Sequence, residues 1–304
     1  MKNTAVQQVQ VNHWSYDTVN QCKNNRLIKS YFHKIDSSLE YHTHDFYEIN
    51  IISSGAGLHF VGERELTVCP GDVFVIPPGM GHGYRSSGEL TVFHLLLSER
   101  FMSSVGRLLE NLDGYRTLFS IEPQIRLRTE FSYYLRAGGF SLESLFRFID
   151  TLTDSSDSAN DMEELDSALS AARLIAFLSD SIRHIDVDIA ENSGEKHTLS
   201  VIGAMEYLDR HFDEPLDSSV LADRCCMSYS CFLRAFKRLS GKTPSEYQSS
   251  LRIKKAEKQL LSSSDSVLKI AMDLGYYDSA HFIKEFQKHK NLSPTEYRKK
   301  QKLH

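Results

Sequence analysis

Residues 218–247, SSVLADRCCMSYSCFLRAFKRLSGKTPSEY, and residues 265–297, DSVLKIAMDLGYYDSAHFIKEFQKHKNLSPTEY, are two copies of one design. Each reads as a short apolar helix, a turn, and a second helix with a basic and polar exposed face. Leu221-Ala222 opens the first copy and Ile270-Ala271 the second. An aromatic, a cation and a second aromatic follow at helical spacing, Phe232, Arg234 and Phe236 in one and Phe282, Lys284 and Phe286 in the other. Aromatics four apart share a helix face, so both pairs must point to a core. A helix stop, then Pro-x-Glu-Tyr, closes each copy. The period is about fifty residues, and such self-similarity marks a repeated structural unit. Two tandem helix-turn-helix units are expected.

Working outward, Thr198 can cap a helix carrying Leu199, Ile202, Met205 and Leu208, which ends at Asp213-Glu214-Pro215. A long helix from Ser245 to about Leu261 joins the two units, its apolar positions alternating with Arg252, Lys254, Lys255 and Lys258. Cys225, Cys226 and Cys231 lack a fourth ligand at metal spacing and read as packing residues.

This stretch resembles the AraC/XylS family of transcription regulators. The carrying residues include Leu221-Ala222, Phe232-x-Arg234-x-Phe236-Lys237, Gly241, Arg252-x3-Ala256, Gly275-Tyr276, Phe282-x3-Phe286 and Ser293-Pro294. The match covers about a hundred residues and departs at Lys284, Gln287 and Asn291. The resemblance implies that Ser230, Leu233 and Arg234 meet base edges from the first recognition helix, and Ala280, His281 and Lys284 from the second. The two helices would enter successive major grooves of promoter DNA about 34 Å apart. Arg234 suits guanine O6 and N7, whereas a lysine at 284 gives up the bidentate fork. Lys237, Arg238, Lys255 and Lys288 are phosphate candidates.

The charge is divided along the chain. Residues 196–304 carry 19 Lys and Arg against 13 Asp and Glu, while residues 1–195 carry 16 against 27. An acidic front and a basic back argue for two jobs on one chain, the back suiting a polyanion. No apolar run approaches the ~20 residues needed to cross a bilayer, and residues 1–14 lack the apolar core of a secretory signal. Five cysteines without scaffold spacing suit a reducing compartment. A cytoplasmic protein with no membrane partner is expected.

From Tyr41 the sequence runs in short β-branched and aromatic segments punctuated by glycine, such as FYEINIIS, GLHFVG and ELTVFHLLL. Their spacing of roughly ten residues indicates an antiparallel sandwich or barrel. Taken as one strand, alternation puts His42, His44, Phe46, Glu48 and Asn50 on one face. His42-x-His44-x3-Glu48 and Gly71-x5-Pro77-x-Gly79-x2-His82 resemble the cupin family, a small jelly-roll barrel, with departures at Asp36 and Ser86. The resemblance implies that the four positions used by metal-binding cupins are filled, by His42, His44, Glu48 and His82. These residues, with Tyr84 and His94, are the effector-site candidates, and His59 is a secondary one. No cofactor is expected, although a divalent metal on the first four remains the alternative.

The fold class is thus multidomain: an N-terminal all-β cupin-like jelly-roll barrel with flanking helices, and a C-terminal all-α domain with two helix-turn-helix units joined by a long helix. Expected boundaries are 1–105 for the barrel, 106–187 for a helical segment, 188–197 for a linker and 198–304 for the DNA-binding domain. In the helical segment, Phe101, Val105, Leu108 and Leu112 are at helical spacing. So are Leu165, Leu169, Ala172, Ala176 and Phe177, a stripe suited to an antiparallel homodimer contact.

Function follows as a ligand-responsive, DNA-binding transcription regulator, not an enzyme, with no catalytic residue. The segments around HTHDFYEI and GDVFVIPPGMGH resemble regulators of sugar catabolism of the rhamnose-responsive kind. A small polar effector, a sugar, is therefore expected, together with RNA polymerase as a partner if the protein activates. The competing readings are a metal-dependent cupin enzyme fused to a DNA-binding tail and a constitutive repressor with an inert barrel.

Overall fold

The glycine-punctuated segments become strands in the computed structural model, which describes residues 12–20, 26–86, 88–128, 135–136, 140–152, 161–183 and 193–301. The chain divides into two compact units, Met1–Asp186 and Val187–His304. The first opens with β1 (Asn12–Trp14), α1 (Tyr16–Asn20), β2 (Ile28–Ile35), β3 (Ser38–His44) and β4 (Tyr47–Gly55). Then come β5 (Gly57–Val61), β6 (Arg64–Val68), β7 (Asp72–Ile76), β8 (His82–Arg85) and β9 (Leu90–Leu97). After them run α2 (Glu99–Ser103), α3 (Val105–Leu109), a π-helical turn (Thr117–Ile121), α4 (Glu122–Arg128), β10 (Leu135–Arg136), α5 (Phe140–Asp150) and α6 (Asp161–Arg183).

Two five-stranded sheets form the barrel, in orders β1-β3-β8-β5-β6 and β10-β7-β4-β9-β2. All pairs are antiparallel except β1 with β3. Strands β4, β7 and β9 are buried along most of their length on both faces because both are covered. Ile35, Ile52, Phe74, Ile76 and Val92 fill the space between the sheets. On the outer face, α4 lies against β7 and α6 against β2. Gly55 lets β4 pass the β9 strand: at φ 81°, an added Cβ would sit 1.7 Å from the Glu89 carbonyl oxygen.

Several helical expectations change. The run from Phe101 to Leu112 is not one helix but breaks at Ser104, where φ is −110° and ψ −88°. Ser103 and Ser104 hydroxyls both donate to the Arg100 carbonyl, a local bond that competes with helix continuation. Phe101 and Leu109 are buried, while Leu108 is 78% exposed. On α6 the buried stripe is Ala168, Ala171, Ile175, Leu178 and Ile182, so the expected Leu165/Leu169 stripe is the outward one. The expected boundary at 105/106 falls at the start of α3, and β10 pairs with β7 in the barrel sheet. Residues 106–186 therefore belong to the barrel's own unit and are not a separate helical segment.

The second unit holds α7 (Ser193–Arg210), α8 (Ser218–Arg224), α9 (Tyr229–Ser240), α10 (Pro244–Ser262), α11 (Val267–Asp273), α12 (Ser279–Lys290) and α13 (Pro294–Gln301). Of the expected linker, residues 188–192 lie outside the described residues, and 193–197 are already helix. Thr198 is thus a buried interior residue of α7, not its cap. The repeat reappears as repeated packing. The Phe232 and Phe236 rings sit 5.6 Å apart, Phe282 and Phe286 5.7 Å apart, each pair meeting the tyrosine of its closing Pro-x-Glu-Tyr. Glycine at 275 is dictated by φ 75° and by the Asp213 carbonyl, 1.8 Å from where a Cβ would stand.

Candidate functional site

The interior of the barrel is not apolar throughout. His42 and His44 come from β3 and Glu48 and Asn50 from β4, and these strands belong to opposite sheets. The single-strand reading of residues 42–50 is therefore corrected: the chain turns at Asp45-Phe46, and the residues converge across the sandwich. The turn is held where the Tyr16 backbone N–H donates to the Asp45 carboxylate. Glu48 stands at the centre. Its Oε2 lies 3.2 Å from His44 Nε2 and 3.1 Å from His82 Nε2, and its Oε1 accepts from His94 Nδ1 at 2.6 Å. Burial alone would raise the Glu48 carboxyl, but the three imidazoles around it prevail and hold it well below the usual carboxylate range. Burial, reinforced by His82, lowers His42 to about 4. Burial lowers His82 too, against the pull of Glu48.

Backbone carbonyls set the tautomers. His42 Nδ1 is 2.8 Å from the Glu40 carbonyl oxygen and His44 Nδ1 is 2.7 Å from that of Phe46. A carbonyl only accepts, so both Nδ1 atoms carry a hydrogen and both Nε2 atoms are left for the interior. His44 Nε2 faces the Glu48 carboxylate. Around this centre His44 Nε2, both ring nitrogens of His59 and His82, and both amide atoms of Asn50 are buried without a protein hydrogen-bond partner of good geometry. An unmet buried polar group costs ~1–3 kcal/mol, so such a cluster fits a group that supplies both donors and acceptors.

All six effector-site candidates, His42, His44, Glu48, His82, Tyr84 and His94, are buried in the first unit. Five share this centre. Tyr84 lies beside it, stacked on His59 with ring centroids 4.4 Å apart. His42, Glu48 and His82 each offer a ligand atom, all within 4.8 Å of one another, which meets the donor requirement of a divalent cation. Sequence reasoning missed two aromatics. Trp14 of β1 stacks on His42 at 3.7 Å, and Tyr31 of β2 stacks on His94 at 5.0 Å. Trp14 is the chain's one tryptophan, which was the available signal; Tyr31 gave none, because strand pairing across sixty residues brings it there.

The second unit presents its polar rows on anchored helices. Ser228 caps α9, accepting from the Cys231 N–H, and Asp278 caps α12, accepting from the His281 N–H. Both helices end in left-handed residues, Gly241 at φ 74° and Asn291 at φ 55°. With Phe232, Phe236, Phe282 and Phe286 buried, Ser230, Arg234, Lys237 and Arg238 are exposed on α9 and Ala280, His281, Lys284 and Lys288 on α12. Leu233 is half-buried. Lys288 Nζ is 3.8 Å from Glu285, a loose pairing on an exposed side chain. Lys255, another phosphate candidate, is half-buried with its ammonium 4.2 Å above the Phe212 ring. Cys225 is buried as expected, but Cys226 is exposed at φ 53°, within the turn. Tyr229 and Tyr277 flank the polar rows, the latter 92% exposed.

Known proteins align with both units. The family model described as the AraC-like ligand binding domain matches residues 28–172, and one described as a helix-turn-helix domain matches residues 221–300. The HTH-type transcriptional activator RhaS of Escherichia fergusonii is 28% identical over 266 residues, spanning 84% of this chain and 86% of its own. RhaS of Yersinia pestis bv. Antiqua is 27% identical over 268 residues, spanning 86% and 90%. A solved transcriptional regulator from Chromobacterium violaceum, described by its AraC-type DNA-binding domain, is 29% identical over 35% of this chain and 94% of its own, with a TM-score of 0.31. With a ligand-binding barrel and a paired helix-turn-helix unit, each matched by its own model, the chain belongs to the AraC/XylS family of transcription regulators.

Proposed function

We propose that the protein is a sugar-responsive transcription regulator that holds its effector inside the barrel and binds promoter DNA as a homodimer. One observation carries the effector reading: the buried Nε2 of His44, the Glu48 carboxylate and both ends of the Asn50 amide converge without full protein pairing. A polyol supplies hydroxyls that pair with the imidazole nitrogen and carboxylate and accept from the amide. The relatives bear the name of transcriptional activators, so a regulator, not an enzyme, is the reading for this chain. As an activator it would engage RNA polymerase, and it would work in the cytoplasm, where promoter DNA is. Among the described residues no helix is long and apolar enough to cross a membrane.

Base reading rests with Ser230, Leu233 and Arg234 on α9 and with Ala280, His281 and Lys284 on α12. Lys237, Arg238 and Lys288 meet phosphates. The outward stripe of α6 supports a dimer contact. Its Leu165 and Leu169 are 47% and 49% exposed, while Ala172 and Ala176 continue the stripe as small residues. In an antiparallel pair, each leucine end meets the partner's alanine end, large against small. Leu165→Glu with Leu169→Glu should yield a monomer by analytical ultracentrifugation.

A second reading concerns metal. The carbonyl-fixed tautomers aim His42 and His44 Nε2 inward, as metal-bound imidazoles are held. His42, His44, Glu48 and His82 would hold a divalent cation, whose open positions would bind effector hydroxyls. Substoichiometric metal in protein purified without chelator, by inductively coupled plasma mass spectrometry, rules this out. The effector reading is tested by thermal shift with a panel of sugars. One sugar should raise Tm, by ~2.7 kcal/mol of stability at a hundred times Kd, and the rise should vanish in His82→Ala. No response to any sugar leaves the inert-barrel repressor.

A further inference from the structure

The barrel holds a second polar feature that neither the histidine cluster nor the DNA-binding rows use. Helix α4 lies along β7 beyond the reach of the two-residue strand β10, and Arg126 of α4 is 0% exposed. One nitrogen, Nη2, donates to the Val75 carbonyl at 2.5 Å, on the strand edge that β10 leaves open. The guanidinium carbon sits 5.2 Å from the ring of Phe74, whose side chain belongs to the core between the sheets. His59 packs edge-on against that same ring at 4.5 Å, and its imidazole is 5.9 Å from that of His82. The Phe74 ring thus has His59 on its edge and Arg126 on its face, and His59 leads on to His82 of the Glu48 cluster. Arg126 Nη1 and Nε are buried without a hydrogen-bond partner, as are both nitrogens of His59. The nearest acid is Glu122, one turn earlier, with Oε1 3.3 Å from Nε but off-line for a hydrogen bond.

A buried guanidinium is costly unless an anion and full hydrogen bonding compensate it. Glu122 does this only in part: its Oε1 stands at ion-pair distance from Nε without hydrogen-bond alignment, and burial, only partly offset by Arg126, raises its pKa to about 7. Glu48 is already engaged by three imidazoles. The interior therefore has a guanidinium with one poorly aligned acid beside Nε and no hydrogen-bond partner on Nη1.

We infer that Arg126, with His59 on the same Phe74 ring, receives a carboxylate of the effector, so that the ligand class is a sugar acid, aldonic or uronic, and not a neutral sugar. The inference rests on the reading that the barrel holds the effector. Hydroxyls would occupy the histidine cluster and the carboxylate would take Arg126 Nη1 in a charge-assisted hydrogen bond.

The test is native mass spectrometry of the full chain in an equimolar mixture of glucose, galactose, rhamnose, gluconate, glucuronate and galacturonate, followed by calorimetry with whatever is retained. A retained sugar acid is expected, with its Kd weakened roughly thirtyfold or more in Arg126→Gln. Glu122→Gln removes a competing charge, so it should tighten the same ligand by roughly threefold or more; a folding defect does not produce a gain. Retention of a neutral sugar alone, with an affinity unchanged in Glu122→Gln, overturns the sugar-acid inference and leaves the effector reading standing. Retention of none of the six overturns both. A sugar acid bound equally well by wild type, Arg126→Gln and Glu122→Gln removes Arg126 from the site.

Discussion

The two units solve the interior problem in opposite ways. Around Phe282 and Phe286 the DNA-binding unit packs a core of Ile253, Ala256, Leu260, Ile270, Ala271 and Leu274, and its buried Asp209, Ser240 and Gln248 are hydrogen-bonded within the unit. The barrel buries Glu48, Asn50, His59, His82, Glu122 and Arg126, several of their atoms without protein partners. The first arrangement is finished when the chain has folded. The second leaves buried polar atoms for water or a ligand to meet, a cost in stability that suits a domain of the ligand-binding type.

That contrast can be broken at either side. The largest effect is expected at the finished core: Phe236→Ala should cost ~3–5 kcal/mol and abolish DNA binding, read by circular dichroism melting and mobility shift. An effect under about 1 kcal/mol would mean that this core is as loosely satisfied as the barrel. Next comes the pH response of Glu122, whose folded pKa of about 7 lies above its ordinary 4.5. Between these values the folded state binds more protons than the unfolded one, so stability falls as pH rises from 4.5 to 7. The whole span is on the order of 3 kcal/mol. Wild type should lose stability relative to Glu122→Gln across that window, and parallel curves would show that the buried acid is not strained. The smallest effect sharpens the comparison on the outer face of the finished unit. Arg234→Ala should cost ~1–3 kcal/mol at one base position, with Lys284→Ala weakening all sequences more evenly, measured by competition binding. Equal, sequence-blind losses at both would remove base reading from α9.

The helix-turn-helix half was legible because its signals are local. Phe spacing and the helix stops at Gly241 and Asn291 each act within one or two turns of helix. The histidines and Glu48 were legible as a motif, but their geometry was not. Period-two alternation cannot reveal that the chain turns at Asp45 and carries Glu48 to the other sheet. On α6 both Leu165/Leu169 and Ala171/Ile175/Leu178 are apolar, and only packing on the barrel decided which was buried. Arg126 was invisible, since an arginine in a short helix reads as a solvated charge until β10 proves too short to cover Val75.

Trp14 gives the barrel an optical consequence. It is the protein's sole tryptophan, and its ring lies 3.7 Å from His42, nearly parallel, at the edge of the histidine cluster. All indole emission from the chain therefore originates beside the histidine cluster and none from the DNA-binding unit. Occupancy of the barrel should register as a change in that single emission band while promoter binding is followed separately, so input and output can be timed against each other in one cuvette without a label.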